Sequence, residues 1–217
     1  LTIMSYTDLK QKIDTGEVVL LDGGIGTEIL RHGYTWASHQ LKNEPKLNLE
    51  IHKDYISAGA HVITTNTFQL SRRSFRNHFA SDEHMALQGV ANLTDRVGEL
   101  VNDSVQLADN ARKALGRDDV LIAASITTLE WCFRPDKTPD IEKIYDEYLA
   151  ELTEYSDAGT DIFLFETFNS TPEAVVAIRA AREVGKPGWI ALVPYKDGNL
   201  LGGESMEQVV DALGPEE

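Results

Sequence analysis

Two stretches of the chain, one hundred residues apart, follow one plan, and that repetition constrains the fold more than any other feature. Ala58-Gly59-Ala60-His61-Val62-Ile63-Thr64-Thr65-Asn66-Thr67-Phe68 and Ala158-Gly159-Thr160-Asp161-Ile162-Phe163-Leu164-Phe165-Glu166-Thr167-Phe168 each run from a helix end through a glycine stop and an apolar strand to a polar residue and Thr-Phe. Glycine ends a helix by entering the left-handed region, and a short unbroken apolar run is the pattern of a strand buried on both faces of a parallel sheet. A chain that uses such a unit twice builds an α/β structure by repetition.

The same grammar runs through the rest of the sequence. Val18-Val19-Leu20-Leu21 predicts a first buried strand, stopped by Asp22 and the glycines Gly23, Gly24 and Gly26. Residues 61–68, 120–125, 162–166 and 189–193 predict four more strands. Helices are expected over residues 5–15, 27–32 and 45–59, as one long segment over 85–115, and over 141–155, 171–185 and 205–213. Pro45 suits a first helical turn, Ser170-Thr171-Pro172-Glu173 is a helix start, and Ser205-Met206-Glu207-Gln208 has capping-box spacing. Tyr145, Tyr148 and Tyr155 fall at helical spacing and read as packing residues. Residues 34–45, with Trp36 and Leu41, read as a long loop at the ligand-facing end, and Gly214-Pro215 as a helix stop where a sixth strand would begin.

Polar residues sit where those strands end. Asp22, Asn66, Ser125 and Glu166 each close a different strand, and in α/β folds ligands bind at the carboxyl ends of strands. In a closed barrel these ends converge on one pocket; in an open doubly wound sheet they spread along an edge. A doubly wound sheet is complete with about five strands, whereas a barrel needs about eight. The dinucleotide fingerprint is a poor match, since Gly24-Ile25-Gly26-Thr27-Glu28-Ile29 has isoleucine at the third glycine position.

Composition narrows the partners. With 20 Lys and Arg against 35 Asp and Glu, the formal charge is -15, and no basic cluster interrupts it, which disfavours nucleic acid and anionic membranes. One cysteine, Cys132, allows no internal disulfide, and no two of the six histidines lie three or four residues apart as helical metal ligands would. No apolar run approaches the roughly 18 residues of a spanning helix, and the amino end carries no secretory pattern, so a cytoplasmic setting is expected.

Four stretches give the chain a resemblance to the homocysteine S-methyltransferase family, zinc-dependent enzymes that move a methyl group onto homocysteine to make methionine. They are Leu21-Asp22-Gly23-Gly24-Ile25-Gly26-Thr27-Glu28, residues 54–68, Phe165-Glu166-Thr167, and Gly202-Gly203-Glu204-Ser205. The resemblance runs in order through the chain and implies a (β/α)8 TIM barrel, of which residues 1–217 would be a single homocysteine-binding domain with about five of the eight βα units, cut short at its carboxyl end. It implies that Asp22 and Glu166 receive the substrate ammonium and that Gly23, the neighbouring Gly24 amide and Thr65 hold its carboxylate. Asn66, Ser125 and Thr167 complete the substrate-binding set. No catalytic residue is assigned.

In the family, zinc converts the thiol to a thiolate and is held by three cysteines, one at the end of the sixth strand and an adjacent pair beyond the eighth. None of these lies in this chain, and Cys132, in the loop after the third strand, matches none of them, so zinc is expected only for the full-length family member. The isolated chain is then expected to be inactive. The methyl donor is left open among S-methylmethionine, S-adenosylmethionine, betaine and a methylated corrinoid or folate partner. Two other readings stand beside this one: a shortened, non-catalytic homologue that completes its barrel by pairing with another chain, a homo-oligomer among the options, and a doubly wound domain that binds a cationic metabolite.

Overall fold

The computed structural model describes residues 4–34, 44–79, 81–87 and 91–214. Four strands, β1 (Val62–Thr64), β2 (Leu121–Thr127), β3 (Ile162–Phe168) and β4 (Gly188–Leu192), form one parallel sheet in the order β1-β2-β3-β4. Helices α1 (Tyr6–Asp14), α2 (Ile25–Arg31) and α3 (Pro45–Ser57) precede the sheet. Helices α4 (Arg72–His78), α5 (Asp82–Leu87) and α6 (Val97–Ala114) join β1 to β2, α7 (Ile141–Ala158) joins β2 to β3, α8 (Thr171–Val184) joins β3 to β4, and α9 (Met206–Leu213) follows.

Side-chain alternation along the strands separates two faces. Ile63 and Ile122 pack on Ile56 of α3 and on Ala108 and Ala111 of α6. Ala124, Phe163 and Phe165 pack on α6, α7 and α8 through Val101, Tyr148 and Ala177. Every crossover helix in these clusters lies on that one face. The opposite face, Val62, Leu121, Ala123, Ile162 and Leu164, is closed at its amino end by Leu9 of α1. Trp189 of β4 joins it, donating from Nε1 to Tyr6 Oη at 3.1 Å. A doubly wound sheet carries helices on both faces and reverses its strand order at a switch point. Among the described residues the crossover helices keep to one face, only α1 meets the other, at its amino end, and the strand order is not reversed.

The crossover face owes much to aromatic packing. Tyr148 meets Phe165 edge-on at 6.3 Å and Phe165 meets Phe168 at 5.6 Å, pairs worth ~0.5–1.5 kcal/mol each beyond their buried area. Gly59 and Gly159, the stops of the repeated unit, take φ of 103° and 102°, the left-handed conformation that the sequence plan requires of them.

Several expectations need correction. Val18–Leu21 is not a buried strand: only Leu21 makes a parallel bridge, to Val62, and Val18 is 77 % exposed. Its hydrogen bonds, Asp22 N to Val62 O at 3.0 Å and His61 N to Leu20 O at 2.8 Å, all point to β1, so the segment lies at the sheet's edge. The fifth predicted strand is β4, which is only partly buried. The single helix expected over 85–115 is two, α5 and α6, separated by turns in which Asn92 has a φ of 58°. Helix α4 is not expected from the sequence pattern. It is capped by Ser71 Oγ, which accepts from Ser74 N at 3.1 Å, and Phe75 alone buries its face. Most of the 34–45 loop and the segment after Gly214 lie outside the described residues.

Candidate functional site

The α1 face changes character along the strands: its lower residues are apolar, and Thr64, Ser125 and Glu166, next in the same alternation, are polar. Register staggers them by two residues from strand to strand, with Thr64 opposite Ala123, Ser125 opposite Leu164 and Thr127 opposite Glu166, and the Ser125 hydroxyl spans one step by bonding to Glu166. The Leu21–Val62 bridge brings Asp22 beside Thr64. The result is a cleft of about 380 Å³ whose walls include Asp22, Gly23, Gly24, Thr65, Asn66, Ser125 and Glu166.

Asp22 is held by β1. Its Oδ2 accepts from Thr64 N at 2.7 Å, and the Thr64 hydroxyl lies 3.1 and 3.2 Å from its two oxygens. Burial nonetheless pushes its carboxyl up to about 7 from 3.8; the Thr64 bonds oppose the rise and the negative charge of Glu166 adds to it. Burial also raises Glu166, against the hydrogen bond that its Oε2 accepts from Ser125 Oγ in a very short contact. Two under-solvated carboxyls thus share one cleft, an arrangement that a bound cation relieves.

Hydroxyls frame the floor. Ser125 N donates to Thr65 Oγ1 at 3.1 Å, and Thr67 Oγ1 donates to Ser125 O at 2.7 Å. Because Thr67 spends its proton there, the 2.7 Å contact between the two threonine hydroxyls must carry the proton of Thr65. The Thr65 amide is spent on Ala123 O at 2.9 Å, so Thr65 has no donor left for a ligand carboxylate. Asn66 Nδ2 donates to Asn48 Oδ1 at 2.8 Å, tying β1 to α3.

Gly23 is glycine for lack of room: a Cβ there would lie 2.7 Å from Tyr55 Oη. That close approach keeps the Gly23-Gly24 turn against α3, where Tyr55 Oη reaches Gly24 O at 3.4 Å.

Thr167 is apart from this group. It takes a φ of 62° at a register shift between β3 and β4, donates its hydroxyl to Glu166 O at 2.6 Å, and lines a neighbouring cavity of about 700 Å³ with Phe68, Gln69, Trp131, Cys132 and Phe133. Phe68 lines both spaces.

The residues present do not fit the implied metal. No three His, Cys, Asp or Glu side chains come together to hold an ion among the described residues, and Cys132 is buried with Gln69 Nε2 3.7 Å from its Sγ. Sequence reasoning missed Thr64, Thr67, Tyr55 and Asn48. Thr64 and Thr67 had a usable signal, since Thr64 alternates with Val62 and belongs with Thr65 and Thr67 to one hydroxyl-rich run.

Comparison with known proteins agrees in outline. The chain is 26 % identical to betaine–homocysteine S-methyltransferase 1 of Xenopus tropicalis over 198 residues, which cover 89 % of this chain and 45 % of that protein. It is 28 % identical to homocysteine S-methyltransferase 4 of Zea mays over 237 residues, covering 93 % and 65 % respectively. It therefore spans between about half and two thirds of these relatives. The crystal structure of the homocysteine methyltransferase MmuM from Escherichia coli in its metallated form superposes with a TM-score of 0.78 at 23 % identity over 94 % of this chain and 73 % of that one, a likeness of fold. The family model described as homocysteine S-methyltransferase matches residues 19–216, and the chain belongs to that family.

Proposed function

We propose that this chain forms the amino-acid-binding part of a TIM-barrel enzyme that methylates the thiol of homocysteine to give methionine. Crossover helices confined to one face of an unreversed parallel sheet support the barrel reading, with β1 to β4 and the Leu21 bridge as part of its wall, in one domain. The observation that carries the function is the meeting of Asp22 and Glu166, from two separate segments, across one cleft. Their carboxylates receive the substrate ammonium. The Gly23-Gly24 backbone takes the substrate carboxylate, with Thr65 framing Ser125 rather than donating, and Ser125 and Asn66 shape the floor.

The substrate thiol then points toward the wall shared with the larger cavity, which receives the methyl donor between Phe68, Thr167 and Trp131. Zinc in the family's complete enzymes supplies thiolate activation. No cluster among the described residues is suited to hold it.

Calorimetric titration with homocysteine tests the reading. Entry of an ammonium lowers the carboxyl pKa of Asp22, so binding near pH 6 should release protons, seen as a dependence of the heat on the buffer's ionisation enthalpy. Glu166→Gln should weaken binding by ~1–3 kcal/mol through loss of a charge-assisted bond. An unchanged affinity removes Glu166 from the clamp.

A further inference from the structure

Outside the cleft, Glu173 is a carboxylate that a helix start alone does not explain. A glutamate in a first helical turn needs only to stand near the helix's positive end, in water. Glu173 is instead 2 % exposed. Its Oε1 accepts from Leu129 N at 2.9 Å and from Tyr148 Oη at 2.9 Å, and its Oε2 accepts from Thr138 Oγ1 at 3.2 Å. A carboxylate is tolerated in such a place only when its oxygens are hydrogen-bonded, and here both are.

The partners explain the position. Leu129 and Thr138 are the two ends of the loop that follows β2, so one side chain ties the loop's departure and return to α8, with Tyr148 bracing it from α7. Between those ends lie Trp131, Phe133 and Lys137, which wall the 700 Å³ cavity opposite Thr167. Trp131 is 46 % and Phe133 65 % exposed, large apolar side chains held in solvent rather than folded away. A second tie holds the departing end, where Glu130 accepts from Arg73 Nη1 at 2.8 Å and from Asn77 Nδ2 at 2.7 Å, and Gln69 Nε2 lies 3.7 Å from Cys132 Sγ further along.

We propose that Glu173 is a positioning residue that clasps the 129–138 loop at both ends and so fixes the aromatic wall against which the second substrate, a small methyl donor, binds. The inference rests on the reading of that cavity as the donor's. A wall pinned at its base presents Trp131 and Phe133 without ordering a loop at each encounter, which strengthens donor binding and leaves the amino-acid clamp untouched.

The test uses the full chain with Glu173→Ala, Glu173→Gln and Thr138→Val. Hydrogen exchange at the Leu129 amide and tryptic cleavage after Lys137 read the clasp. Titrations with homocysteine alone, and with S-methylmethionine, S-adenosylmethionine or betaine in the presence of homocysteine, read its consequence.

Glu173→Ala should speed exchange and cleavage and weaken the donor that binds by about tenfold, with homocysteine affinity held within about twofold. Glu173→Gln should stay near wild type, because its amide oxygen still accepts from Leu129 and Tyr148 and its nitrogen can donate to Thr138. Thr138→Val, which loses only the returning tie, should raise cleavage after Lys137 and decides the matter if the alanine variant does not fold. Unchanged Leu129 exchange and Lys137 cleavage in the variants that fold overturn the clasp. A freed loop with unchanged donor binding, or an equal loss of homocysteine binding, overturns the positioning role. If no donor binds the wild-type protein, the reading of the cavity falls, while exchange and cleavage still decide the clasp.

Discussion

At the scale of single residues, Asp22 offers a direct handle on the site because its folded and unfolded carboxyls titrate in different ranges. The folded group keeps its proton to about pH 7, whereas the unfolded one releases it near 3.8. The native state therefore binds more protons between those values. The stability that this group contributes is fully present below the unfolded value and is lost as pH rises through about 7. Melting temperatures of the ligand-free protein from pH 4 to 8 should show that fall, and Asp22→Asn should flatten its share of it; parallel curves for the two proteins would mean that Asp22 is not the buried acid. The identity of this residue was legible because a carboxylate that ends an apolar run and precedes three glycines has few other uses. The roles of Thr64 and Thr67 were not, because which of several adjacent hydroxyls meets which acceptor depends on strand register. The register likewise sends the Thr65 hydroxyl proton to Thr67 and its amide to Ala123, and neighbours take the proton and amide of Thr67 in the same way.

At the scale of elements, signals local to the chain were read well and signals that depend on neighbours were not. The Ser205 capping box forms in both directions, Pro45 stands at the start of α3, and α8 begins after Ser170. Each follows from chemistry within a few residues. The Val18–Leu21 run failed because an apolar stretch announces that it prefers burial but not whether strands flank it on both sides. The apolar period through 85–115 concealed a break because the turns over residues 91–96, where Asn92 has a φ of 58°, still bury Leu93 as a helix would. Helix α4 was invisible for the opposite reason: Arg72-Arg73-Ser74 carries no apolar stripe, and the helix is held by ion pairs such as Arg72 Nη2 to Glu154 Oε1 at 2.6 Å. The turn from the Leu21 bridge into α2 gives a testable case of an element fixed by contact. A methyl group on Gly23 would lie 2.7 to 3.0 Å from the Tyr55 ring and hydroxyl, and an overpacked contact of this kind costs ~1–3 kcal/mol. Gly23→Ala should therefore lower the urea midpoint without changing the slope, and Tyr55→Ala in the same chain should recover part of the loss. A midpoint unmoved by Gly23→Ala would show that α2 shifts freely, and the turn would then be no rigid wall for a ligand.

At the scale of the whole molecule, the repeated unit made the architecture legible, since two copies of helix, stop, strand and polar end build parallel strands with polar residues at their carboxyl ends. What it did not reveal is that all crossover helices share a face, which comes from contacts such as Ile56 with Ile63 and Tyr148 with Phe165. The site inherits a division of labour from this plan. In the proposed reading the strand ends recognise charge at one end of an amino acid, and no cluster among the described residues is suited to a metal that would grip a thiol at the other. Recognition by this chain should then depend on the zwitterion and little on sulfur. Homocysteine and methionine, which share the ammonium and carboxylate and differ at the sulfur, should bind the 217-residue chain within about tenfold of each other, a gap of at most ~1.4 kcal/mol. Adding zinc should change neither affinity, because a lone buried cysteine does not make a four-coordinate site. Titration of each amino acid with and without one equivalent of zinc, on the wild-type chain and on Cys132→Ala, decides the point. A zinc-dependent gain for homocysteine alone, abolished by Cys132→Ala, would place thiol activation within these residues and would move the chemistry from the strand ends to the loop after β2.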